Sequence, residues 1–283
     1  MRTLDYQLCD VFTDRPLSGN ALAVFTDASG LPTATLQALA RELNLSECAF
    51  VLPTPSAEAD AGLRIFTPTM ELPFAGHPTL GSAFVLTAQS RADSIRLGTA
   101  RGVSTVRFTR EAAGPAFGWM TQPIPKVSLY ERRAELLAAL GISDAALPIE
   151  LYDNGPHYVL VFLDSASQIA ALRPNMSRLE ELGSIAATVF AADGARWKAR
   201  VFAPGEGIPE DPATGAAAGP LALHLCRHGR VPFGTEVVIH QGIEIGRPGV
   251  LHARARGSSE RVEAVEVGGR AVLIGRGQID LVG

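Results

Sequence analysis

Two stretches of this 283-residue chain are apolar around their whole circumference if they form helices. Residues 76–86 read GHPTLGSAFVL, and residues 214–225 read TGAAAGPLALHL. In each stretch a glycine stands at or beside the start, and a second glycine follows four or five residues later. Because a helix without a polar face must be covered by protein on every side, the rest of the chain has to surround two such helices. Strands wrapped around each helix satisfy this requirement.

Most of the remaining chain has the short alternating or apolar pattern of β-strands. Strands are predicted at 4–12, 20–25, 49–53, 63–66, 94–109 (a hairpin), 117–121, 157–163 and 198–203, and through most of the last 50 residues. Helices are predicted at 32–42, at 130–140 and in two stretches that end near 187. Pro220 falls early in the second apolar helix and is expected to kink it or delay its start.

The order of strands, a glycine-bearing loop and one apolar helix occurs twice along the chain, which predicts two similar domains. The proline-punctuated segment 121–133 marks the junction between them. The first domain is predicted to span residues 1–122 and the second residues 123–271. A final strand, about 272–283, is expected to return to the first domain.

The composition argues against several classes of partner and compartment. The formal net charge is −4, without the basic excess that a nucleic-acid partner requires. The three cysteines, Cys9, Cys48 and Cys226, are widely spaced and form no CxxC pair, which indicates neither a disulfide framework nor a zinc knuckle. No apolar run approaches the ~18 residues of a membrane span, and the N-terminus is not a signal peptide. A cytoplasmic protein is therefore predicted.

The segment NLSECAF, residues 44–50, contains the first candidate for chemistry. Glu47 follows a predicted helix and precedes an apolar strand. A carboxylate between apolar elements loses solvation, which raises its pKa and suits a general base or acid. The alternative is a glutamate on a surface loop.

The segment ELPFAGHPTLG, residues 71–81, contains the second candidate. Gly76 and His77 precede Pro78, a residue that favours the first turn of a helix. The backbone N–H groups of that turn lack partners within the helix and form a site for a carboxylate. A histidine there can donate a hydrogen bond or relay a proton. The alternative is a histidine that caps a turn.

The segment EDPATGAAAG, residues 210–219, contains the third candidate. Asp211 and Thr214 bring a carboxylate and a hydroxyl directly before a second helix start, and Gly215 allows close approach of a ligand. The alternative is a helix cap, since aspartate and threonine both cap well. This alternative is weaker for Asp211, because Pro212 displaces it from the cap position.

Other functional motifs are not supported. The chain has no GxGxxG after a strand, no GxxxxGK[ST] and no G-x-S-x-G. His224 and His228 are spaced to share one face of a helix and could bind a metal ion there. Because no third ligand lies nearby in the sequence, we interpret them as core or solvent-facing histidines, and no metal site is predicted.

Five segments resemble, in order, the PhzF-like (phenazine biosynthesis-like) family, whose members are related to diaminopimelate epimerase. They are DVFTDRPLSGNALAVF, LNLSECAF, RIFTPTMELPFAGHPTLGSA, RVFAPGEGIPEDPATGAAAG and QGIEIGRPG. The resemblance implies an α+β fold of two domains, each a curled, mostly antiparallel sheet around a central helix, with the active site between them. It further implies a homodimer that uses no cofactor and no metal.

The resemblance also implies an isomerase that moves a proton within a small carboxylate-bearing substrate. In the best-known member the substrate is trans-2,3-dihydro-3-hydroxyanthranilate, a cyclic amino acid. Glu47 would be the general base and acid, while His77 and Asp211 would bind substrate and steer the proton. The predicted substrate-binding residues are Ser46, Gly76, Thr214, Gly215 and Ala216, with the backbone of the two glycines and Ala216 meeting the carboxylate.

The chain departs from the family pattern at a few positions, which leaves its substrate open. Ala216 and Gly249 stand where the family usually has serine. Ala75 and Pro212 stand near the positions of the two catalytic cysteines of the epimerase relatives, so a two-thiol mechanism is disfavoured. An amino-acid epimerase or racemase, and a ligand-binding protein without catalysis, remain the alternative functions.

Overall fold

The structure is a computed structural model that describes residues 2–54, 57–90, 92–111 and 114–281. The first half of the chain forms β1 (Arg2–Val11), β2 (Asn20–Phe25), α1 (Thr33–Leu43), β3 (Glu47–Leu52), β4 (Ala61–Phe66), β5 (Glu71–Leu72), α2 (Gly76–Thr87), β6 (Ser94–Thr99), β7 (Gly102–Glu111) and β8 (Gly114–Gln122). Their apolar residues alternate or cluster in short runs, which is the pattern of half-buried and fully buried strands.

The second half begins with β9 (Lys126–Leu129), α3 (Arg133–Leu140), β10 (Glu150–Asp153), β11 (His157–Phe162), α4 (Ala166–Ala171), α5 (Met176–Glu180), β12 (Ala186–Asp193), β13 (Arg196–Ala203) and β14 (Ile208–Asp211). A 3₁₀ turn, Pro204–Glu206, lies between the last two strands. The chain ends with α6 (Gly215–Arg227), β15 (Val237–Gln241), β16 (Gly249–Gly257), β17 (Val262–Gly269) and β18 (Ala271–Leu281).

Each apolar helix is surrounded by its own set of strands. Helix α2 contacts β1, β2, β3, β6, β7, β8 and β18, which pair in the order β18–β1–β2–β3–β4–β6–β7–β8. Helix α6 contacts β11, β16 and β17 of a second set. That set pairs in the order β9–β10–β11–β12–β13–β15–β16–β17. Antiparallel pairing of β8 with β17 joins the two sets.

Burial explains why the two helices need such a cover. Every residue of α2 except Leu86 is buried, and in α6 only Arg227 is not. Full burial of a leucine or phenylalanine side chain, such as Leu80 or Phe84 of α2, contributes roughly 1.5–3 kcal/mol to folding. The requirement drawn from the two apolar stretches is thus met, and each helix forms the centre of its layer of strands.

Five strands differ from the sequence-based prediction. Strands β5, β9, β10 and β14 were not predicted, because each has at most four residues. Residues 186–187 were assigned to the end of a helical stretch, but they begin β12, whose apolar run AATVFA pairs in parallel with β11. A fully buried strand in parallel pairing lacks the alternation that marks a strand in sequence.

Pro220 does not delay the second apolar helix, which begins at Gly215. Proline has no N–H to donate to the carbonyl four residues earlier, which here belongs to Ala216. The side chain of Asn154 supplies that donor instead, with Nδ2 2.9 Å from the Ala216 oxygen. Replacing the missing backbone bond in this way allows a proline inside the helix.

The final strand, β18, pairs antiparallel with β1 from Arg2 to Val11. The chain therefore ends among the strands that surround α2. The division at residues 122 and 123 stays a prediction. None of the described helices is long and apolar enough to cross a membrane.

Candidate active site

The N-terminal ends of α2 and α6 meet at two glycines. A Cβ atom added at Gly76 would lie 2.3 Å from the Ala216 nitrogen and 2.4 Å from the Gly215 carbonyl carbon. A Cβ atom added at Gly215 would lie 2.7 Å from the Phe12 ring. Only glycine permits this approach, so both helix starts depend on the absence of a side chain.

Neither helix start is capped by a side chain. The first N–H groups of a helix have no acceptor within the helix and carry its positive dipole end. Two such ends beside each other form a site for an anionic group, such as a carboxylate. The predicted residues Gly76, Gly215 and Ala216 all lie at this junction.

Glu47 and His77 lie together beside the helix starts. Glu47 is the first residue of β3, and His77 is the second residue of α2. Their relative exposures are 7% and 2%, and Glu47 Oε2 lies 3.3 Å from His77 Nδ1. Within the described part of the chain, neither Glu47 Oε2 nor His77 Nε2 has a hydrogen-bond partner. A carboxyl oxygen without a donor is therefore buried next to an imidazole.

Asp211, by contrast, is held by several donors. Its carboxylate accepts hydrogen bonds from Asn20 Nδ2 at 2.8 Å and from Thr214 Oγ1 at 2.5 Å. A side-chain hydrogen bond from Ser46 adds to these. Thr214 stands at the cap position of α6, but its hydroxyl donates to Asp211 and does not cap the helix. The alternative of a threonine cap is therefore wrong.

Gln241, the last residue of β15, holds Asp211 and Thr214 in place through three further hydrogen bonds. Its Nε2 donates to the Asp211 carbonyl at 2.7 Å and to Thr214 Oγ1 at 2.9 Å. Its Oε1 accepts from the Thr214 backbone N–H at 3.1 Å. Gln241 begins the family-like segment QGIEIGRPG, but it was not singled out as a site residue.

Asn20 links all three parts of the site. Besides Asp211 Oδ1, its Nδ2 approaches the Ala213 carbonyl and His77 Nδ1, both at 3.1 Å. An amide nitrogen has two hydrogens, so bonds to Asp211 and Ala213 use both. His77 Nδ1 is then left to face Glu47. Asn20 lies in one of the family-like segments, but it was not singled out as a site residue.

The burial of Glu47 and His77 shifts their pKa values in opposite directions. Loss of solvation, together with the negative charges of Asp211 and Glu206, raises the pKa of Glu47 well above its ordinary value. Burial lowers the pKa of His77 to about 3, against a smaller opposite effect of the Ala21 backbone. A neutral imidazole thus faces a carboxyl group that holds its proton more tightly than usual.

Two further residues near the site were not predicted. Glu206 is buried and accepts a hydrogen bond from Ser184 Oγ at 2.9 Å. The pKa of Tyr158 is raised well above its ordinary value by burial and by the nearby charges of Glu206, Glu47 and Asp211. Its hydroxyl therefore keeps its proton. Glu206 lies in a family-like segment but was not singled out, whereas Tyr158 lies outside those segments and comes near the site only through the fold.

Comparison with known proteins identifies the family. The family described as phenazine biosynthesis-like protein, PhzC-PhzF, matches residues 9–277 of this chain. The chain belongs to this family. A trans-2,3-dihydro-3-hydroxyanthranilate isomerase of Pseudomonas fluorescens is 48% identical over 277 residues, which cover 98% of this chain and 99% of that protein.

Solved structures agree with this assignment. A PhzF-family phenazine biosynthesis protein of Bacillus anthracis matches with a TM-score of 0.83 and 25% identity, over 99% of this chain and 100% of that one. A hydroxyproline epimerase of Agrobacterium vitis matches in fold alone, with a TM-score of 0.70 and 16% identity, over 98% of this chain and 92% of that one. The predicted family, the α+β fold of the epimerase type and the isomerase class are confirmed.

The structure brings the eight predicted site residues together at the junction of α2 and α6. Ser46, Glu47, His77, Asp211 and Thr214 form or border the polar network, while Gly76, Gly215 and Ala216 form the helix starts. Their individual roles stay predictions. Gly249, where the family usually has serine, packs on Ala213 so closely that an added Cβ would lie 2.9 Å away. A serine there would require the loop before α6 to shift.

Proposed function

We propose that this chain catalyses the isomerisation of a small, cyclic, amino-acid-like carboxylate by proton transfer through Glu47. The relatives named trans-2,3-dihydro-3-hydroxyanthranilate isomerase supply the substrate class. The observation that carries the proposal is the buried Glu47 carboxyl group, which faces a neutral histidine beside two uncapped helix starts.

The helix starts would bind the substrate carboxylate through the free N–H groups near Gly76 and Gly215. In its ionised form, Glu47 takes a proton from an activated carbon, and the electron pair of the C–H bond shifts the adjacent double bond. Glu47 then returns the proton to another atom of the substrate. The product has the same composition as the substrate, so no oxidant or other reactant is consumed.

The environment of Glu47 suits both halves of this step. A raised pKa makes the carboxylate a stronger base. It also brings the pKa closer to the working pH, at which one group can both take up and release a proton. Neutral His77 can accept a hydrogen bond at one ring nitrogen and donate one at the other beside Glu47 without carrying a buried charge. Asp211, fixed by Asn20 and Thr214, would accept a hydrogen bond from the substrate amine or hydroxyl.

Access to the site requires movement. Glu47, His77 and Asp211 are each at most 7% exposed, and the helix starts touch. A substrate can reach these groups only if the strands around α2 and those around α6 separate at the junction. Closure around the substrate would then exclude water from the carboxyl group.

An assay in D₂O tests the proposed reaction. Trans-2,3-dihydro-3-hydroxyanthranilate is incubated with the purified chain, and the ultraviolet spectrum and proton NMR spectrum are followed together. We expect a change in absorbance from the moved double bond, with deuterium at the carbon that gains the proton. An unchanged ultraviolet spectrum with exchange and inversion at a single carbon would instead support the epimerase alternative. Neither change, with saturable binding, would support a binding protein.

Several finer expectations accompany this proposal. The family resemblance supports a homodimer, a reaction without a cofactor, and two domains at residues 1–122 and 123–271 with the last strand in the first. The net charge of −4 supports the absence of a nucleic-acid partner. The three free, buried cysteines support a reducing, cytoplasmic location.

A further inference from the structure

The far end of α6 contains a second cluster of glutamate and histidine. His224 and His228 lie one turn apart near the C-terminal end of this helix, and Glu150 of β10 packs against both. One potential ligand atom of each residue lies within 4.8 Å of the other two. The third ligand that the sequence did not show therefore comes from a residue 74 positions away from His224.

We propose that Glu150, His224 and His228 form a site for one divalent transition-metal ion, for which Zn²⁺ is the best candidate. Glu150 Oε2 lies 3.2 Å from His224 Nδ1 and 3.1 Å from His228 Nε2. Ligand atoms about 2.0–2.1 Å from one tetrahedral Zn²⁺ are separated by about 3.3–3.4 Å. The two distances to Glu150 are already close to this spacing, and all three ligand atoms lie within 4.8 Å of one another.

The polar contacts of this cluster concentrate on one carboxylate oxygen. Three groups converge on a single oxygen, because the Tyr152 hydroxyl also donates to Glu150 Oε2, at 2.8 Å. The other oxygen, Oε1, has a long contact of 3.4 Å with Arg227. His224 Nδ1 also lies 3.1 Å from the Tyr152 oxygen. With a metal ion, the two imidazole nitrogens present lone pairs to the cation and no longer compete as donors.

Two neighbouring side chains would orient the carboxylate of the site, whereas His224 Nε2 has no hydrogen-bond partner among the described residues. Tyr152 and Arg227 both contact Glu150 and would orient its carboxylate, as hydrogen-bond partners of metal ligands commonly do. His224 is fully buried, whereas the side chain of His228 is 19% exposed. Solvent can therefore reach the cluster on the side of His228, where a water molecule would complete the tetrahedron.

A bound ion would fasten the C-terminal end of α6 to β10. The same helix presents its N-terminal end to the candidate active site.

Metal titration tests the proposal. The tag-free chain is stripped with a chelator and titrated with Zn²⁺ by calorimetry, and with Co²⁺ by visible absorption. We expect one Zn²⁺ per chain, an intense Co²⁺ spectrum typical of tetrahedral geometry, and a Tm that rises with Zn²⁺ concentration. His228→Gln should weaken Zn²⁺ binding by more than the ~10–100-fold that loss of an outer hydrogen-bond partner costs.

A matched variant controls for adventitious binding. His252 forms a pair with Glu236 at 2.7 Å but is not part of the three-residue cluster. His252→Gln should bind Zn²⁺ as the wild type does. Because His228 is partly exposed, His228→Gln should fold, which far-ultraviolet circular dichroism of the stripped chain checks. His224→Gln is the second ligand variant.

Two results would overturn the proposal. The first is a wild type that takes up no stoichiometric Zn²⁺ and shows no rise in Tm, which would mean a hydrogen-bonded cluster only. The second is unchanged affinity in folded His228→Gln and His224→Gln, which would place the ion elsewhere. Because this titration uses no organic substrate, its outcome is independent of the proposed isomerase reaction.

Discussion

Two buried clusters in this protein combine glutamate with histidine, and they differ in the donors around the carboxyl group. At the junction of the helix starts, Glu47 has a histidine 3.3 Å away, and its other charged neighbours are the acids Asp211 and Glu206. At the far end of α6, Glu150 is surrounded by donors from His224, His228, Tyr152 and Arg227. The pKa of Glu47 is raised, whereas that of Glu150 falls to about 2.

This difference shows that burial alone does not determine what a glutamate can do. Without donors, a buried carboxyl group gains from holding a proton, which suits it to exchange that proton with a substrate. The donors around Glu150 outweigh its burial and stabilise it as an anion, which suits it to hold a helix end or a cation. At Asp211 burial still raises the pKa despite the donors. The same pair of residue types thus supports acid–base chemistry in one place and a fixed charge in the other.

The largest effect is expected from Glu47→Gln, which removes the proposed base while keeping the shape of the side chain. The rate of isomerisation should fall by ~10²–10⁴, the usual contribution of a general base. Cys48→Ala is the matched control, because Cys48 is the next residue of β3 and is buried in a separate apolar cluster. Steady-state kcat for both variants checks this prediction. Wild-type activity in Glu47→Gln would show that Glu47 is not the general base.

Removal of one negative charge near Glu47 should make its surroundings more like those of Glu150. Glu206 raises the pKa of Glu47, so Glu206→Gln should lower that pKa. Since the base acts when ionised, the acidic limb of the kcat/KM profile should move to lower pH. Glu236→Gln, at an exposed pair with His252, is the control. If the acidic limb does not move, it reports the ionisation of a group other than Glu47.

The raised pKa of Glu47 should also make the free energy of unfolding depend on pH. Because the pKa of Glu47 is higher in the folded chain, its contribution to stability is full below about 4.5 and is lost as pH rises through the folded pKa. For one group the slope is at most about 1.4 kcal/mol per pH unit. Urea unfolding of Glu47→Gln across this range should lack that loss. An identical pH dependence in wild type and variant would contradict the shift.

The smallest effect is expected from Ala216→Ser, which adds the hydroxyl that the family usually has at the start of α6. If the hydroxyl reaches the substrate, one neutral hydrogen bond contributes about 0.5–1.5 kcal/mol, or roughly a 2- to 12-fold lower KM. Substrate titration of wild type and variant measures this difference. A higher KM would indicate that the junction beside Gly76 has no room for the added oxygen.

The sequence predicted the parts of the site that lie within short segments. Glu47, His77 and Asp211 each stand beside an apolar element that begins within a few residues, so their positions follow from local patterns. Asn20 and Gln241 each lie in a family-like segment, but no local pattern of periodicity gives them a role, and they reach the site through the pairing of distant strands. Local patterns made these three residues candidates and the family resemblance implied their roles, but neither singled out the amides that orient them.

The same limit explains why the second cluster was missed. The i, i+4 spacing of His224 and His228 was recognised, but Glu150 lies in a four-residue strand that was not predicted. A strand this short has too few residues for alternation to be distinguished from chance. The two apolar helices were predicted well because each is long and buried on all sides.

The pairing of β8 with β17 has a consequence for how the protein works. Residues 118–122 are in register with 265–269, and this ladder joins the strands around α2 to those around α6. If the site opens as proposed for substrate entry, a motion that preserves these backbone hydrogen bonds would be a rotation about the ladder, with the ladder as its hinge axis. Amide hydrogens of the ladder should exchange slowly during turnover, while those near the helix starts should exchange faster without substrate than with it.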